Sequence, residues 1–392
     1  MISVRTAKEQ IQKSIELPQP VVLPLLQAAG LVLAENSYAP LDIPQFQQSS
    51  MDGYAFHFGA HTTALQIRGE MAAGTTLQQA IRQNEAVRIF TGAPLPHGAD
   101  TVVMQEKTAV QDGVLKILDE QLQQGTNVRS VGAEIKKGAL AIEKGTILTP
   151  AAIGFLAGIG IAEVPVYAAP KVRIVVTGNE LQTPGNDLKA GQVYESNSYL
   201  LRAALQQAGI ATIQVQQGFD EHGLLKKLVA DALQQSDMVV ITGGVSVGDY
   251  DFVVGAATAC GVTQVFHKVV QRPGKPLYFG TKEKKLVFGL PGNPASVLTC
   301  FYEYVLPAVK QWMGHEKSLT IIHAPLATAY KKIPQLTHFL KGHYDGKTAT
   351  PLQAQESFRL SSFAQANCLI CLDAEKELYA AGEVVAVHLL PE

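Results

Sequence analysis

The stretch Lys171-Val-Arg-Ile-Val-Val-Thr177-Gly-Asn-Glu180 and its counterpart Ser236-Asp-Met238-Val-Val-Ile-Thr242-Gly243-Gly244 decide the fold. Each is a short, nearly continuous apolar run that ends in Thr-Gly, as expected of a strand covered on both faces. Around them a helix over 196–208 closed by Gly209, a strand over 212–216 and a helix over 223–235 follow one another. This alternation predicts a doubly wound, mostly parallel sheet with helices on both faces, a multidomain α/β protein once the flanks are included. A long helix from 293 to about 313 closes the domain, with Asn293 placed to cap it and Pro294 suited to its first position.

Outward from this domain the character changes twice. Over 42–136, short β-branched runs are separated by Gly, Pro and Asn, which predicts a β-rich domain. Helical signals flank it. Thr6 and Glu9 have capping-box spacing, a short helix near 24–29 stops at Gly30, and Thr149-Pro150 can open another helix. The helical pieces therefore read as one domain with the β-rich segment inserted. After Gly314 the chain is strand-like again, with an Asp345-Gly346 hairpin turn, and reads as a small all-β domain of barrel-like type. The expected division is 1–42 with 137–169, then 43–136, 170–316 and 317–392.

Composition removes several function classes. Among 392 residues, 32 Lys and Arg oppose 34 Asp and Glu, so no global positive field draws the chain to nucleic acid or to an anionic membrane. The 47% hydrophobic and 17% charged content is that of a folded protein. No run of 18 apolar residues and no apolar leader is present, and a soluble, cytoplasmic protein is expected. Four cysteines make no disulfide framework; Cys368 and Cys371 lie in a strand-like run that sends them to opposite faces.

The chemistry gathers at the carboxyl edge of the predicted sheet, where ligands of open α/β sheets bind. Gly243 and Gly244 let a ligand approach the backbone, and Ser246 and Gly248 follow with a hydroxyl and amides. Gly289-Leu-Pro291-Gly292-Asn293-Pro294-Ala-Ser296 ends a strand and opens a helix, aiming the helix's positive end at the same edge. In Lys268-Val-Val-Gln-Arg272-Pro-Gly-Lys275, a strand would put Lys268 and Arg272 on one face and the Pro273-Gly274 turn would redirect Lys275 toward them. Glu180, Asp249 and Asp251 supply carboxylates of the kind that Mg²⁺ shares with substrate phosphates. Asp52, before Gly53, reads by itself as a turn residue.

In order along the chain, Ser-Met-Asp52-Gly-Tyr-Ala, Phe-Thr91-Gly-Ala-Pro, Thr177-Gly-Asn-Glu-Leu, Gly243-Gly-Val-Ser-Val-Gly-Asp-Tyr-Asp251, Arg272-Pro-Gly-Lys-Pro and Gly-Leu-Pro-Gly-Asn-Pro294 resemble the molybdopterin molybdenumtransferase family, MoeA and the E domain of gephyrin. The resemblance spans essentially the whole chain. It implies a cytoplasmic homodimer of elongated four-domain subunits with the active site between subunits. The implied reaction converts adenylyl-molybdopterin and molybdate to molybdenum cofactor and AMP with Mg²⁺. Molybdopterin adenylyltransferase and molybdoenzyme acceptors are the implied partners. Asp52, Thr91, Glu180, Asp251, Lys268 and Lys275 match the family's active-site positions, with Glu180 and Asp251 toward the metal. Pro291 and Pro294 match its Gly-Leu-Pro-Gly-Asn-Pro loop, and Ser296, Ser357 and Arg359 match the anion end of the pocket. The chain departs from the family pattern with Gln47-Gln48 for Asp-Asn, Asn179 and Glu134 each for Asp, and Arg272 for Lys.

Three other readings fit less well. A molybdopterin adenylyltransferase usually consists of the α/β domain alone, and a gephyrin-like scaffold adds a further domain and a long linker. A dinucleotide-dependent dehydrogenase would carry Gly-x-Gly-x-x-Gly after the first strand, where Thr177-Gly-Asn-Glu180 stands instead.

Overall fold

The computed structural model describes residues 1–61, 64–74, 80–218, 222–243 and 252–391. They form two compact units. One comprises 1–22, 30–34 and 165–392, the other 23–29 and 35–164.

In the first unit, a six-stranded sheet runs in the order Ile213–Gly218, Val172–Thr177, Met238–Thr242, Lys285–Leu290, Tyr278–Lys282, Thr263–His267. The first four strands are parallel, and Tyr278–Lys282 pairs antiparallel with both of its neighbours. The parallel expectation thus holds for the centre, while the edge is turned by the tight Glu283-Lys284 connection, in which Glu283 adopts φ 53°. Side chains alternate across the sheet, as strand geometry demands. Ile174, Val176, Val240 and Phe288 pack with Leu201, Leu205, Val297 and Phe301 on one face. Val175, Val239, Ile241 and Val287 pack with Leu225, Val229, Val253 and Ala256 on the other.

The N-terminal helix Val4–Lys13 joins the first of these cores through Ala7 and Ile11, and Ile15 joins it just past the helix end. Its cap is Ser3 rather than Thr6. The Ser3 Oγ accepts from the Thr6 amide at 3.1 Å, and the two hydroxyls lie 2.8 Å apart, so Thr6 occupies the third helical position. The long closing helix spans 294–312 but is not uniform: α-helix over Pro294–Cys300 widens to a π turn over Phe301–Val305 and resumes over Leu306–Trp312. Pro307, lacking an amide hydrogen, sits just beyond the irregularity. A second sheet follows the path Gln271–Arg272, Thr337–Tyr344, Cys368–Leu372, Val384–Leu389, Thr320–Pro325, with Ala349–Pro351 paired to Thr337–Tyr344 across the Asp345 turn. Cys368 packs in this sheet's core, and all four thiols are free.

The second unit is built on a six-stranded sheet of order Thr101–Met104, Gly53–Phe56, Glu85–Ile89, Leu65–Met71, Val114–Ile117, Thr108–Gln111. Ala55, Val87, Ile89 and Val102 fill one face, and Phe56, Leu65, Ala86 and Val103 the other. Its helix Pro150–Gly158 starts as the sequence predicts, with the Thr149 hydroxyl accepting from the Ala152 amide at 3.3 Å. Among the described residues no helix is long and apolar enough to cross a membrane.

Candidate active site

A cavity of about 1,050 Å³ lies in the first unit beside the carboxyl edge of the parallel strands. Its lining brings together Glu180, Arg272, Lys275, Pro291, Gly292, Asn293, Pro294, Ser296 and Ser357, residues far apart in sequence and all expected to act together. Lys268 and Arg359 are not among its lining residues. Gly244, Ser246, Gly248, Asp249 and Asp251 lie outside the described residues.

The sheet edge is pinned to the Gly-Leu-Pro-Gly loop by side chains. The Thr242 hydroxyl donates to the Pro291 carbonyl at 3.0 Å and accepts from Asn197 Nδ2 at 3.0 Å. The same Nδ2 donates to the Gly292 carbonyl at 2.8 Å. Asn197 Oδ1 is buried with no protein partner, although the residue lines the cavity. Glu195, also lining the cavity but only 5% exposed, is spent on the helix that follows: its Oε1 accepts from the Ser198 amide at 2.8 Å. Gly243 has φ 87°, and a Cβ there would stand 2.0 Å from the Thr177 carbonyl oxygen, so only glycine fits where the second strand passes the first.

Asn293 occupies the cap position, but its side chain does not cap. Its Nδ2 instead donates to Ser357 Oγ at 2.9 Å, while the Ala295 amide donates to the Ser357 carbonyl at 3.1 Å. A first-turn amide of the long helix is therefore already taken by the C-terminal segment. Ser296, 3% exposed, remains in the cavity wall one residue further on.

The cationic segment differs from its expected form. The strand ends at His267, and Lys268 adopts φ 73°, so Lys268 and Arg272 do not share a strand face. The Lys268 amide donates to the Leu277 carbonyl at 2.9 Å as the chain turns. Arg272 resumes a two-residue strand beside His338. It also lines a smaller cavity of about 110 Å³ with Tyr330, Lys332 and His338. Burial first, then the Lys332 and Arg272 cations, push the His338 imidazole down to about 4, so it is neutral at physiological pH. Positive charge is thus concentrated where Arg272 and Lys275 meet the cavity, both side chains being exposed. Arg359 instead pairs with Glu356 at 3.4 Å and lies against the Phe358 ring.

In the second unit, Asp52 and Thr91 are joined. One carboxylate oxygen, Oδ1, accepts from both the amide and the hydroxyl of Thr91, each at 2.8 Å. These bonds, the amide first and then the hydroxyl, hold the Asp52 carboxyl below its ordinary value against a small opposing effect of burial, with Arg88 assisting. Asp52 is more than a turn residue: it is an exposed, ionised carboxylate with fixed orientation. Gly53 beside it is packed so closely that a Cβ would lie 1.8 Å from the Val103 carbonyl oxygen.

Among the described residues no group of three or more His, Cys, Asp or Glu side chains could by itself hold a metal ion. Sequence reasoning missed Asn197, Gln271 and His338. The Glu195-Ser-Asn197 triplet between a strand and a helix at the ligand-binding edge was a usable signal for the first; the other two carry none.

The segments 2–160, 173–311 and 323–390 match, respectively, the family models for the MoeA N-terminal region (domain I and II), a probable molybdopterin binding domain and the MoeA C-terminal region (domain IV). The chain is 33% identical to a molybdopterin molybdenumtransferase of Haemophilus influenzae, with 100% of each protein covered. It is 31% identical to one from Staphylococcus aureus strain Mu50, covering 99% of this chain and 95% of that protein. The solved molybdopterin biosynthesis MoeA protein of Pyrococcus horikosii superposes with a TM-score of 0.86 at 30% identity, covering 99% of both chains. The chain belongs to the molybdopterin molybdenumtransferase family of enzymes of molybdenum cofactor biosynthesis.

Proposed function

We propose that the chain releases AMP from adenylyl-molybdopterin as molybdate is taken up, yielding molybdenum cofactor in a Mg²⁺-dependent reaction. The observation that carries this reading is the meeting of Arg272, Lys275 and the Pro294 helix start in one 1,050 Å³ cavity at the ligand-binding edge of the sheet. Phosphate and molybdate oxygens are anionic. Two exposed cations and a helix N-terminus are what would gather them. Breaking a phosphoanhydride between two bound groups calls for charge neutralisation and alignment more than for a protein nucleophile. In this reading Lys275 and Arg272 hold anionic oxygens, and Ser296 and Ser357 orient them. Lys268, Asp52 and Thr91 belong to the same proposed set, as do Gly243, Gly244, Ser246, Gly248 and Arg359.

A metal arriving with its substrate fits the donors present. Mg²⁺ takes one or two carboxylates plus phosphate oxygens, and Glu180 stands exposed in the cavity lining. Glu180 and Asp251 would hold the ion, which would neutralise phosphoanhydride charge. The proposal extends to a cytoplasmic homodimer with its active site between subunits, to molybdopterin adenylyltransferase and molybdoenzymes as partners, and to a four-part division near residues 43, 137, 170 and 317.

The test is to mix the purified protein with adenylyl-molybdopterin and Mg²⁺ and follow AMP with and without molybdate. Release that depends on both molybdate and Mg²⁺ is expected, with Lys275→Ala strongly impaired. Molybdate-independent release, or wild-type release by Lys275→Ala, would refute the reading.

A further inference from the structure

We propose that Gln271, oriented by Tyr304, is a positioning residue that sets the Arg272-Pro-Gly-Lys275 loop for oxyanion binding; the inference deepens the reading above and rests on it. Gln271 is 1% exposed and immediately precedes Arg272. Its Nε2 donates to the Pro273 carbonyl at 3.0 Å and the Gly274 carbonyl at 3.2 Å. Its Oε1 accepts from the Tyr304 hydroxyl. This amide orientation is the one that fits, because turning the amide over would set Oε1 against two carbonyl oxygens, which only a donor can face.

Tyr304, 1% exposed, projects from the π turn of the long helix. Burial keeps its hydroxyl protonated far above ordinary phenol titration, so it remains a donor. The preceding residue, Glu303, is fully buried between Lys8 and His388 Nδ1, the latter at 2.7 Å, which fixes the turn from the other side. The loop also rests directly on this support. Gly274 has φ 84°, and a Cβ there would stand 2.4 Å from Cys300 Sγ and 2.9 Å from Gln271 Nε2. One residue on, the Lys275 carbonyl accepts from the Val269 and Leu277 amides, each at 3.0 Å.

Three successive carbonyls, 273 to 275, are therefore tied down while the flanking Arg272 and Lys275 side chains are exposed at the cavity. A long cation on a fixed root loses less freedom on binding an anion than one on a mobile loop. Gln271 touches no reacting atom in this scheme; it acts through the loop.

Two variants test it, Tyr304→Phe and the paired Gln271→Met with Tyr304→Phe, the pair chosen because it orphans no buried hydroxyl. AMP release is measured against molybdate concentration, and amide hydrogen exchange is followed over residues 269–277. The expected result for the pair is half-saturating molybdate raised roughly fivefold to thirtyfold, the equivalent of one or two hydrogen bonds. The turnover rate should change less, and exchange over 269–277 should quicken; Tyr304→Phe should shift both in the same direction by less. A folded paired variant with wild-type exchange and wild-type half-saturation overturns the proposal. Should the pair fail to fold, unchanged exchange and half-saturation in Tyr304→Phe overturn it. If the wild-type protein releases no AMP at all, the functional reading falls, and the exchange comparison still decides whether Gln271 and Tyr304 hold the loop.

Discussion

Asp52 and Lys275 both sit beside glycines in short turns, and the two regions fix their charged groups by opposite means. At Asp52 the restraint is on the charge itself: Thr91 donates twice to one carboxylate oxygen at the surface. At Lys275 the restraint is on the backbone, supplied from beneath by the buried Gln271 amide, and the ammonium is left to the cavity. The first arrangement sets a protonation state and a direction. The second sets a point of attachment, which suits a group that must follow a ligand.

The two glycines provide the sharpest way to break this contrast. At Gly53 a Cβ would strike backbone, the Val103 carbonyl oxygen, which cannot turn aside; at Gly274 it would strike the Cys300 sulfur and the end of a side chain. Gly53→Ala should therefore cost the most, more than about 3 kcal/mol, by forcing the paired strands apart. Gly274→Ala should cost about 2 kcal/mol from its left-handed backbone and the displaced sulfur. Thermal unfolding of the two variants checks the ranking, and a costlier Gly274→Ala would reverse it.

A smaller effect concerns Asn293, where side-chain pairing replaces capping. Asn293→Ala and Ser357→Ala should each destabilise the protein, but together by less than their sum, with a coupling of about 1 kcal/mol. Additive losses in the double-mutant cycle would mean that the 2.9 Å contact contributes nothing.

The smallest effect is the titration of Asp52. Its folded value lies below the ordinary 3.8, so the Thr91 bonds contribute fully above that value and are lost only as the pH falls through the lower, folded one. The Thr91 amide resonance should titrate with a midpoint below 3.8, moving upward in Thr91→Val, which keeps the amide donor and loses the hydroxyl. A midpoint at or above 3.8 in the wild type would show that the pair does not persist in solution.

Much of this was legible in the sequence, for physical reasons that can be named. Val172–Thr177 and Met238–Thr242 are buried on both faces, so their apolar runs announced themselves without alternation. The Gly-Leu-Pro-Gly-Asn-Pro loop was legible because turn glycines and a helix-starting proline act locally. What escaped depends on partners distant in sequence. Asn293 finds Ser357 across 64 residues, and Gln271 finds Tyr304 across 33. Lys268 was misplaced because β-branched neighbours favour a strand, whereas its backbone turns left-handed to bring Lys275 back beneath Val269. Ser3 displaced Thr6 as cap because the helix begins one turn earlier, where a hydroxyl spacing of three serves equally well.

The Lys8–Glu303–His388 contact also bears on how the protein is made. Lys8 leaves the ribosome 295 residues before the carboxylate that receives it, and the imidazole follows 85 residues later still. At translation speeds of roughly 5–20 residues per second, the first helix waits on the order of tens of seconds for its permanent neighbours. Throughout that interval Ala7, Ile11 and Ile15 lack much of the apolar surface that will cover them. The helix Val4–Lys13 is thus open to chaperone capture until the helix Leu306–Trp312, which packs against it, has been made, and the ion pair with His388 closes later still.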